Sequence, residues 1–499
     1  MDVLCNYRPF SATGRPGNLG HSSRRQKFQQ MFFLSRARND TTIRNIVITR
    51  ELHRMIFFYT FTLWLLLPYV FFRLIWRARK QPGYLLHIGE RFGFYSTRSD
   101  KPVIWLHAVS VGETRATQSL VIRLRASYPH HQILLTHTTP TGRTASEQLY
   151  GDSVLRVYLP YDYPFAVNNF LRHFDPQLGI LMETEIWFNL IHACHQRHIP
   201  LLLLNARMSE KSRRGYARFA RLTLNALSKL TAIAAQTVDD AARLTSLGAK
   251  NVSVIGNLKF DIDPPSSMLE LGRKMRLQFG TARKIILAAS TREGEEALLL
   301  DALQNIHVLD LLLVIVPRHP QRFAAVANLL EQRGISFLRR SEMDQTGNSD
   351  SGNQHYQQVV PSEVQVVLGD SMGEMFAYYA AADLAFIGGS LLPFGGQNLI
   401  EACAVGTPVL VGPHMYNFAE ATRLAVSAGA AIQIYDVAGL VSEAQRLFHD
   451  NIRLNGMRHQ CAKFIESNRG ATEKSLQLAK QQLKVFTHPD SLPPAHSSR

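Results

Sequence analysis

The chain has 499 residues, 46% of them apolar and 19% charged, with 55 Lys and Arg against 39 Asp and Glu. At about 150 residues per domain this is too long for a single core, and the apolar content excludes a largely disordered chain. The net charge of +16 points to an anionic partner, while four scattered cysteines (Cys5, Cys194, Cys403, Cys461) write neither a disulfide framework nor a cysteine zinc site and suit a reducing compartment.

Residues 1–54 mix Gly, Ser, Arg and Asn without periodicity. They are expected to be a disordered extension or a mis-assigned start, with Met55 as the true initiator. Ile56 to Phe72 then runs seventeen residues without a charge, and Trp76, Arg77, Arg79 and Lys80 follow. That length is at the lower limit for crossing a bilayer, and aromatic plus basic residues at the exit mark an interface, so 55–80 is predicted to be a membrane anchor helix. The alternative is a buried core helix, against which Pro68 and the density of Phe argue. Basic residues also precede the run, so charge alone does not orient it.

From residue 81 short apolar runs alternate with helical patterns: VIWLH at Val103, ILLT at Ile133, LGILM at Leu178, LLLLN at Leu201 and AIAAQ at Ala232. Such alternation predicts βαβ units on a parallel sheet. NLKFDIDPP (Asn257–Pro265) ends this series with two prolines, a hinge signal. A second series follows: KIILAAS at Lys284, LLLVIV at Leu311, VQVVLG at Val364, LAFIGG at Leu384 and PVLVG at Pro408. Helical patterns close it from Val441 to Val485. The polar run from Ser341 to Gln358 is expected to be a mobile surface loop, and 488–499 a tail. The fold class is therefore α/β, with two Rossmann-like domains, 81–260 and 261–487, facing a cleft that takes its ligands at the carboxyl ends of the strands.

Neither G-x-G-x-x-G opening the first domain nor G-x-x-x-x-G-K-[ST] occurs, which removes the main support for dinucleotide oxidoreductases and P-loop NTPases. HAVSVGE (His107–Glu113) runs from a strand through a small-residue turn into a helix and brings Glu113 to the cleft rim. Ser110-x-x-Glu113 is also a capping box, and on spacing alone the cap is the stronger reading. METEIW places Glu183 and Glu185 at another strand end, where two acids are costly unless used or paired. Glu113 and Glu183 suit a general base and its orienting partner; plain helix-start carboxylates are the alternative.

In the second half STREGEE and PRHPQRF bring Arg292, Arg318 and His319 to the cleft, residue types that hold a phosphate by charge-assisted bonds. GGS (Gly388–Ser390) and FGGQNLIEA (Phe394–Ala402) add glycine-rich turns before a helix carrying Asn398 and Glu401, whose first N–H groups are suited to an anion. Paired glycines alone also read as ordinary turns. His192, His195 and His198 recur every three residues, a spacing of a solvated face rather than of the i, i+4 metal pair. The basic run from Asn205 to Arg221 suits membrane phosphates, an anionic acceptor or a solvated helix face.

Together these residues resemble the 3-deoxy-D-manno-octulosonic acid (Kdo) transferase family of lipopolysaccharide synthesis. The matching pieces are GERFG (Gly89–Gly93), HAVSVGE, TTPTGR (Thr138–Arg143), METEIW, NARMS (Asn205–Ser209), GNLKFD, PRHPQRF, GGS, GGQNLIEA and GPHMYNF (Gly412–Phe418), in order from about Met55 to Gln481. The resemblance implies a GT-B glycosyltransferase, with an acceptor-binding first domain and a donor-binding second one. It implies metal-independent, inverting transfer of Kdo from CMP-Kdo to a tetraacylated, phosphorylated lipid A precursor (lipid IVA), without cofactor or nucleic acid, on the cytoplasmic face of the bacterial inner membrane. Glu113 matches the base and Glu183 the second acid. Arg292, Arg318, His319, Gly388, Gly389, Gly396, Gln397, Asn398 and Glu401 fall on the donor side. Arg143 and, in NARMS, position 206 (Ala206, followed by Arg207) fall on the acceptor side. Gln397 departs from a pattern that often has His, and an amide there cannot carry charge. A transferase for a UDP- or GDP-linked hexose is the competing enzyme reading. A membrane-tethered RNA-binding module is the competing reading from charge, and no RNA-binding motif accompanies it.

Overall fold

VIWLH is buried at all five positions, as a strand covered on both faces by crossover helices must be. In the computed structural model, which describes residues 54–79, 81–343 and 360–487, this segment is β1 (Val103–His107). Six further strands join it: β2 (Gln132–His137), β3 (Leu155–Tyr158), β4 (Pro176–Met182), β5 (Leu201–Ala206), β6 (Ala232–Ala235) and β7 (Val252–Val254). All pairings are parallel, in the order β3-β2-β1-β4-β5-β6-β7. The second sheet comprises β8 (Lys284–Thr291), β9 (Leu311–Pro317), β10 (Phe337–Arg339), β11 (Val366–Leu368), β12 (Leu384–Ile387), β13 (Val409–Val411) and β14 (Ala431–Gln433). Its order is β10-β11-β9-β8-β12-β13-β14, again parallel.

Each sheet has a switch point near its middle where the strand order reverses, between β1 and β4 in the first and between β8 and β12 in the second. Loops leaving neighbouring strands diverge at such a point and open a crevice. HAVSVGE leaves β1 and METEIW leaves β4; STREGEE leaves β8 and GGS leaves β12. The two cores are separate: Trp105, Phe170 and Leu203 fill the first, and Phe279, Leu287 and Ile387 the second.

The chain crosses between the lobes twice. After the short turn Leu258–Phe260, Asp261 accepts the Gly470 N–H at 2.7 Å and also bonds the N–H of Thr472, and Arg469 pairs with Asp263 at 3.1 Å. The outgoing and returning segments are thereby tied together. Beyond the return, the helix Ala471–Thr487 buries Leu476, Ala479 and Leu483 in the first lobe's core with Ile104, Leu106 and Leu178. The expected span 261–487 of the second domain is thus divided, because helical periodicity shows that a face is apolar but not which sheet covers it.

The helix Arg54–Arg79 is long and apolar enough to cross a membrane by length and composition. One side is fastened to the first lobe. The Tyr59 hydroxyl donates to Asp162 at 2.9 Å, the Tyr163 hydroxyl donates to the Leu63 carbonyl at 2.7 Å, and Trp64 lies 5.1 Å from the Tyr163 ring. The other side leaves Phe58, Leu65 and Phe72 64–68% exposed, which a buried core helix would not do. Within the expected loop 341–358, Ser341, Glu342 and Met343 continue a helical turn (Arg340–Met343), and Ser341 is held by Asp370. The rest of that loop, the extension up to residue 53, Cys5 and the tail 488–499 lie outside the described residues.

Candidate active site

Glu113 sits in the first turn of the helix Val111–Ala116 and is 8% exposed. Ser110 caps that helix, its Oγ facing the Glu113 N–H at 3.4 Å and donating to Glu113 Oε1 at 2.9 Å, while the Val109 N–H reaches Oε2 at 2.9 Å. The capping box is therefore real, and it fixes the carboxylate at the crevice edge. Burial, and next the negative charge of Glu183, push the Glu113 carboxyl above its usual range against these donors and His107.

Glu183 follows β4 in left-handed backbone (φ 57°) and lies 3.5 Å from Lys259 Nζ. Glu185 serves differently. It accepts Trp187 Nε1–H at 2.6 Å and sits 3.8 Å from His107 Nε2; burial opposes its charge, but His107 and Trp187 outweigh it and hold the carboxyl below the usual range. A pH consequence follows for Glu113. As a base it works ionised, so kcat/KM should fall with falling pH along a limb above the ordinary Glu value of about 4.3. Removing the neighbouring charge by Glu183→Gln should move that limb to lower pH in a pH–rate profile; an unmoved limb would refute the coupling. Stability runs the opposite way, because a raised carboxyl is bound more tightly by a proton in the fold: its contribution is full below about 4.3 and is lost as pH rises through the raised value.

Across the crevice, Arg292 lies with its guanidinium 4.7 Å from the Phe394 ring and 3.2 Å from His319 Nε2. Burial, then the nearby Arg292, lowers His319, which favours the neutral form of its imidazole. Arg318 is lowered first by burial and next by Arg115, a first-lobe residue two positions after Glu113. Arg115 also acts on Glu401, which burial raises despite Asn398, Arg115 and Arg318. Asn398 donates to Glu401 at 3.0 Å and accepts the Ile400 N–H at 3.1 Å. The helix there, Ile400–Val405, has only six residues and its first N–H is thus taken by Asn398. Gly389 (φ 68°) and Gly396 are joined by a 2.7 Å backbone bond, and the Gln397 amide nitrogen lies 3.3 Å from where a Cβ on Gly389 would stand. Gly388 approaches Ser290 so closely that a Cβ would be 2.5 Å from its carbonyl oxygen.

Two positions are expected on the acceptor side. Arg143 pairs with Glu90 at 2.8 Å and is 14% exposed, so its charge is neutralised within the first lobe. Position 206 is Ala206, wholly buried at the end of β5, a strand with no exposed residue; the arginine of NARMS is the next residue, Arg207. His192 Nδ1 lies 2.6 Å from Lys229 Nζ, and no group of three His, Cys, Asp or Glu among the described residues is placed to hold a metal. The basic run folds as Glu210–Ala217 and Ala220–Leu227, with Glu210 paired to Arg213 and Arg214. Sequence reasoning missed Arg115 and Lys259. Arg115 carries no motif of its own, whereas Lys259 lies inside GNLKFD, between Glu183 and the Phe418 ring 5.9 Å away.

Two parallel sheets that face one crevice, each offering polar side chains from its switch point, define the GT-B fold class. A crystallised glycosyltransferase from Rickettsia africae superposes with a TM-score of 0.50 at 13% identity, covering 77% of this chain and all of that one, which is likeness of fold. The family model described as 3-deoxy-D-manno-octulosonic-acid transferase matches residues 86–262. The 3-deoxy-D-manno-octulosonic acid transferase of Bordetella pertussis is 39% identical over 84% of this chain and 97% of its own length; that of Haemophilus influenzae is 35% identical over 86% and 99%. The chain belongs to the Kdo transferase family.

Proposed function

We propose that this protein transfers Kdo from CMP-Kdo to a hydroxyl of a tetraacylated, phosphorylated lipid A precursor, lipid IVA, with inversion at the anomeric carbon. The observation that carries this reading is the convergence on one crevice of a buried, basic-shifted carboxylate from the first lobe with a cluster of arginines from the second. Family membership supports the sugar transferred. Glu113 takes the proton of the acceptor hydroxyl as its oxygen attacks the anomeric carbon. The bond from that carbon to the CMP phosphate breaks, and the phosphate departs with the electron pair. Arg318 and Arg292 supply the positive charge that a departing phosphate needs, so the step requires no metal ion. Gly388, Gly389, Gly396, Gln397 and Asn398 shape the donor loop, and Glu401 holds Asn398 and faces Arg318.

The outward aromatic side of Arg54–Arg79, followed by its basic end at Arg73, Arg77 and Arg79, supports attachment to the inner membrane, where a lipid acceptor resides. Attachment on the cytoplasmic face keeps the crevice beside a soluble nucleotide donor. The test is transfer itself: purified protein in detergent, fresh CMP-Kdo and lipid IVA, with products read by mass. Addition of one or more Kdo units is expected. A folded preparation that transfers none, but accepts a UDP- or GDP-linked hexose, would replace this reading.

A further inference from the structure

The turn carrying Arg292 is held by a carboxylate that has no part in the transfer step. Glu295, at the start of the helix Glu295–Gln304, is completely buried. Its Oε2 accepts the N–H of Arg292 at 2.9 Å and of Gly389 at 2.6 Å, and its Oε1 accepts those of Leu391 at 3.0 Å and Leu392 at 3.5 Å. The first donor lies in the loop after β8 and the other three in the loop after β12, so one side chain binds the main chains of both loops at the switch point. Ser290 and Gly389 on either side have φ of 57° and 68°, and successive N–H groups in such turns form a concavity that takes an anion. Here the protein fills it from within. A burial this complete is costly for a carboxylate unless several donors meet it, and helix capping alone asks for no donor from a second loop. The stacking partner of Arg292, Phe394, belongs to the loop that Glu295 holds.

We propose that Glu295 is a positioning residue for the donor: it holds the β8 and β12 loops at a set separation and thereby aims the Arg292 guanidinium at the phosphate of the nucleotide-sugar. This rests on the donor reading of the second lobe. Glu295→Gln preserves shape but retains one accepting oxygen, and its amide N–H groups oppose peptide N–H groups. The measurement is CMP affinity by calorimetry for the wild type, Glu295→Gln, Arg292→Ala and the double variant. KM for donor and for acceptor, kcat and the melting temperature accompany it.

Glu295→Gln is expected to remain folded, to weaken CMP binding by about tenfold to a hundredfold and to raise the donor KM but not the acceptor KM. Arg292→Ala should do the same, and the double variant should bind no worse than Arg292→Ala, since one residue acts through the other. Wild-type CMP affinity in a folded Glu295→Gln, with Arg292→Ala impaired, would make Glu295 a structural cap and overturn the proposal. Wild-type affinity in Arg292→Ala would remove the donor reading of that arginine, and the proposal with it. If Glu295→Gln fails to fold, Glu295→Asp serves: it keeps the charge but is too short to reach both loops, so weakened CMP binding is expected and unchanged binding overturns the idea.

Discussion

Glu113→Ala should lower kcat for Kdo transfer by about 10²–10⁴-fold while CMP binding stays at the wild-type level. The carboxylate stands on the first-lobe side of the crevice, away from Arg292 and Arg318, so its loss removes proton acceptance without touching the donor's phosphate. The variant also dismantles a capping box, since Ser110 Oγ and the Val109 N–H both bond Glu113. That costs about 0.5–2 kcal/mol of stability and should appear as a modest fall in melting temperature. Glu113→Gln separates the two effects, because the amide oxygen still accepts one of these bonds but cannot take a proton from the acceptor. Normal turnover in either variant would leave Glu113 as a cap and place the base elsewhere.

The second large effect is expected at Arg318. Its guanidinium is half-buried among Arg115 and Arg292, with Glu401 as the opposing charge. Like charges gathered so closely are unfavourable until an anion enters, a cost that preorganises the site for the departing phosphate. Arg318→Ala should therefore lower kcat/KM at limiting donor by about 10²–10³-fold, from the loss of charge-assisted bonds worth about 1.5–3 kcal/mol each. It should leave the KM for the acceptor unchanged. Arg318→Lys should recover only part of the loss, because an ammonium lacks the planar fork that matches a phosphate. Steady-state kinetics with each substrate varied in turn decide the matter, and an unaltered donor KM would take Arg318 out of the donor site.

The recognised members of both sheets were legible from the sequence because they lie between two layers of helices and read as continuous apolar runs. All four strands that went unrecognised, β3, β7, β10 and β14, are sheet edges. β7 exposes two of its three residues and β10 is half-buried throughout, so neither carries the run of Val, Ile and Leu that marks a central strand. The strand-end positions of Glu113, Glu183, Arg292 and Arg318 were legible for a related reason: where an apolar run stops, the chain leaves the sheet at the crevice. Partners were not. Glu90 lies 53 residues from the Arg143 it neutralises, and Glu295 is 94 residues from Gly389.

By itself the sequence determined two α/β lobes, an apolar helix ahead of them, the family, and the loops that reach the crevice. These rest on local periodicity, on residue type and on motif order, all carried by neighbours in the chain. The tertiary structure alone decided that the last helix covers the first sheet, that Arg115 joins Arg318 and Glu401 from the opposite lobe, and that Glu295 turns inward to hold two loops. Those outcomes depend on which apolar faces meet and which buried charges find donors, and the energy of such pairings is shared between segments far apart in the chain.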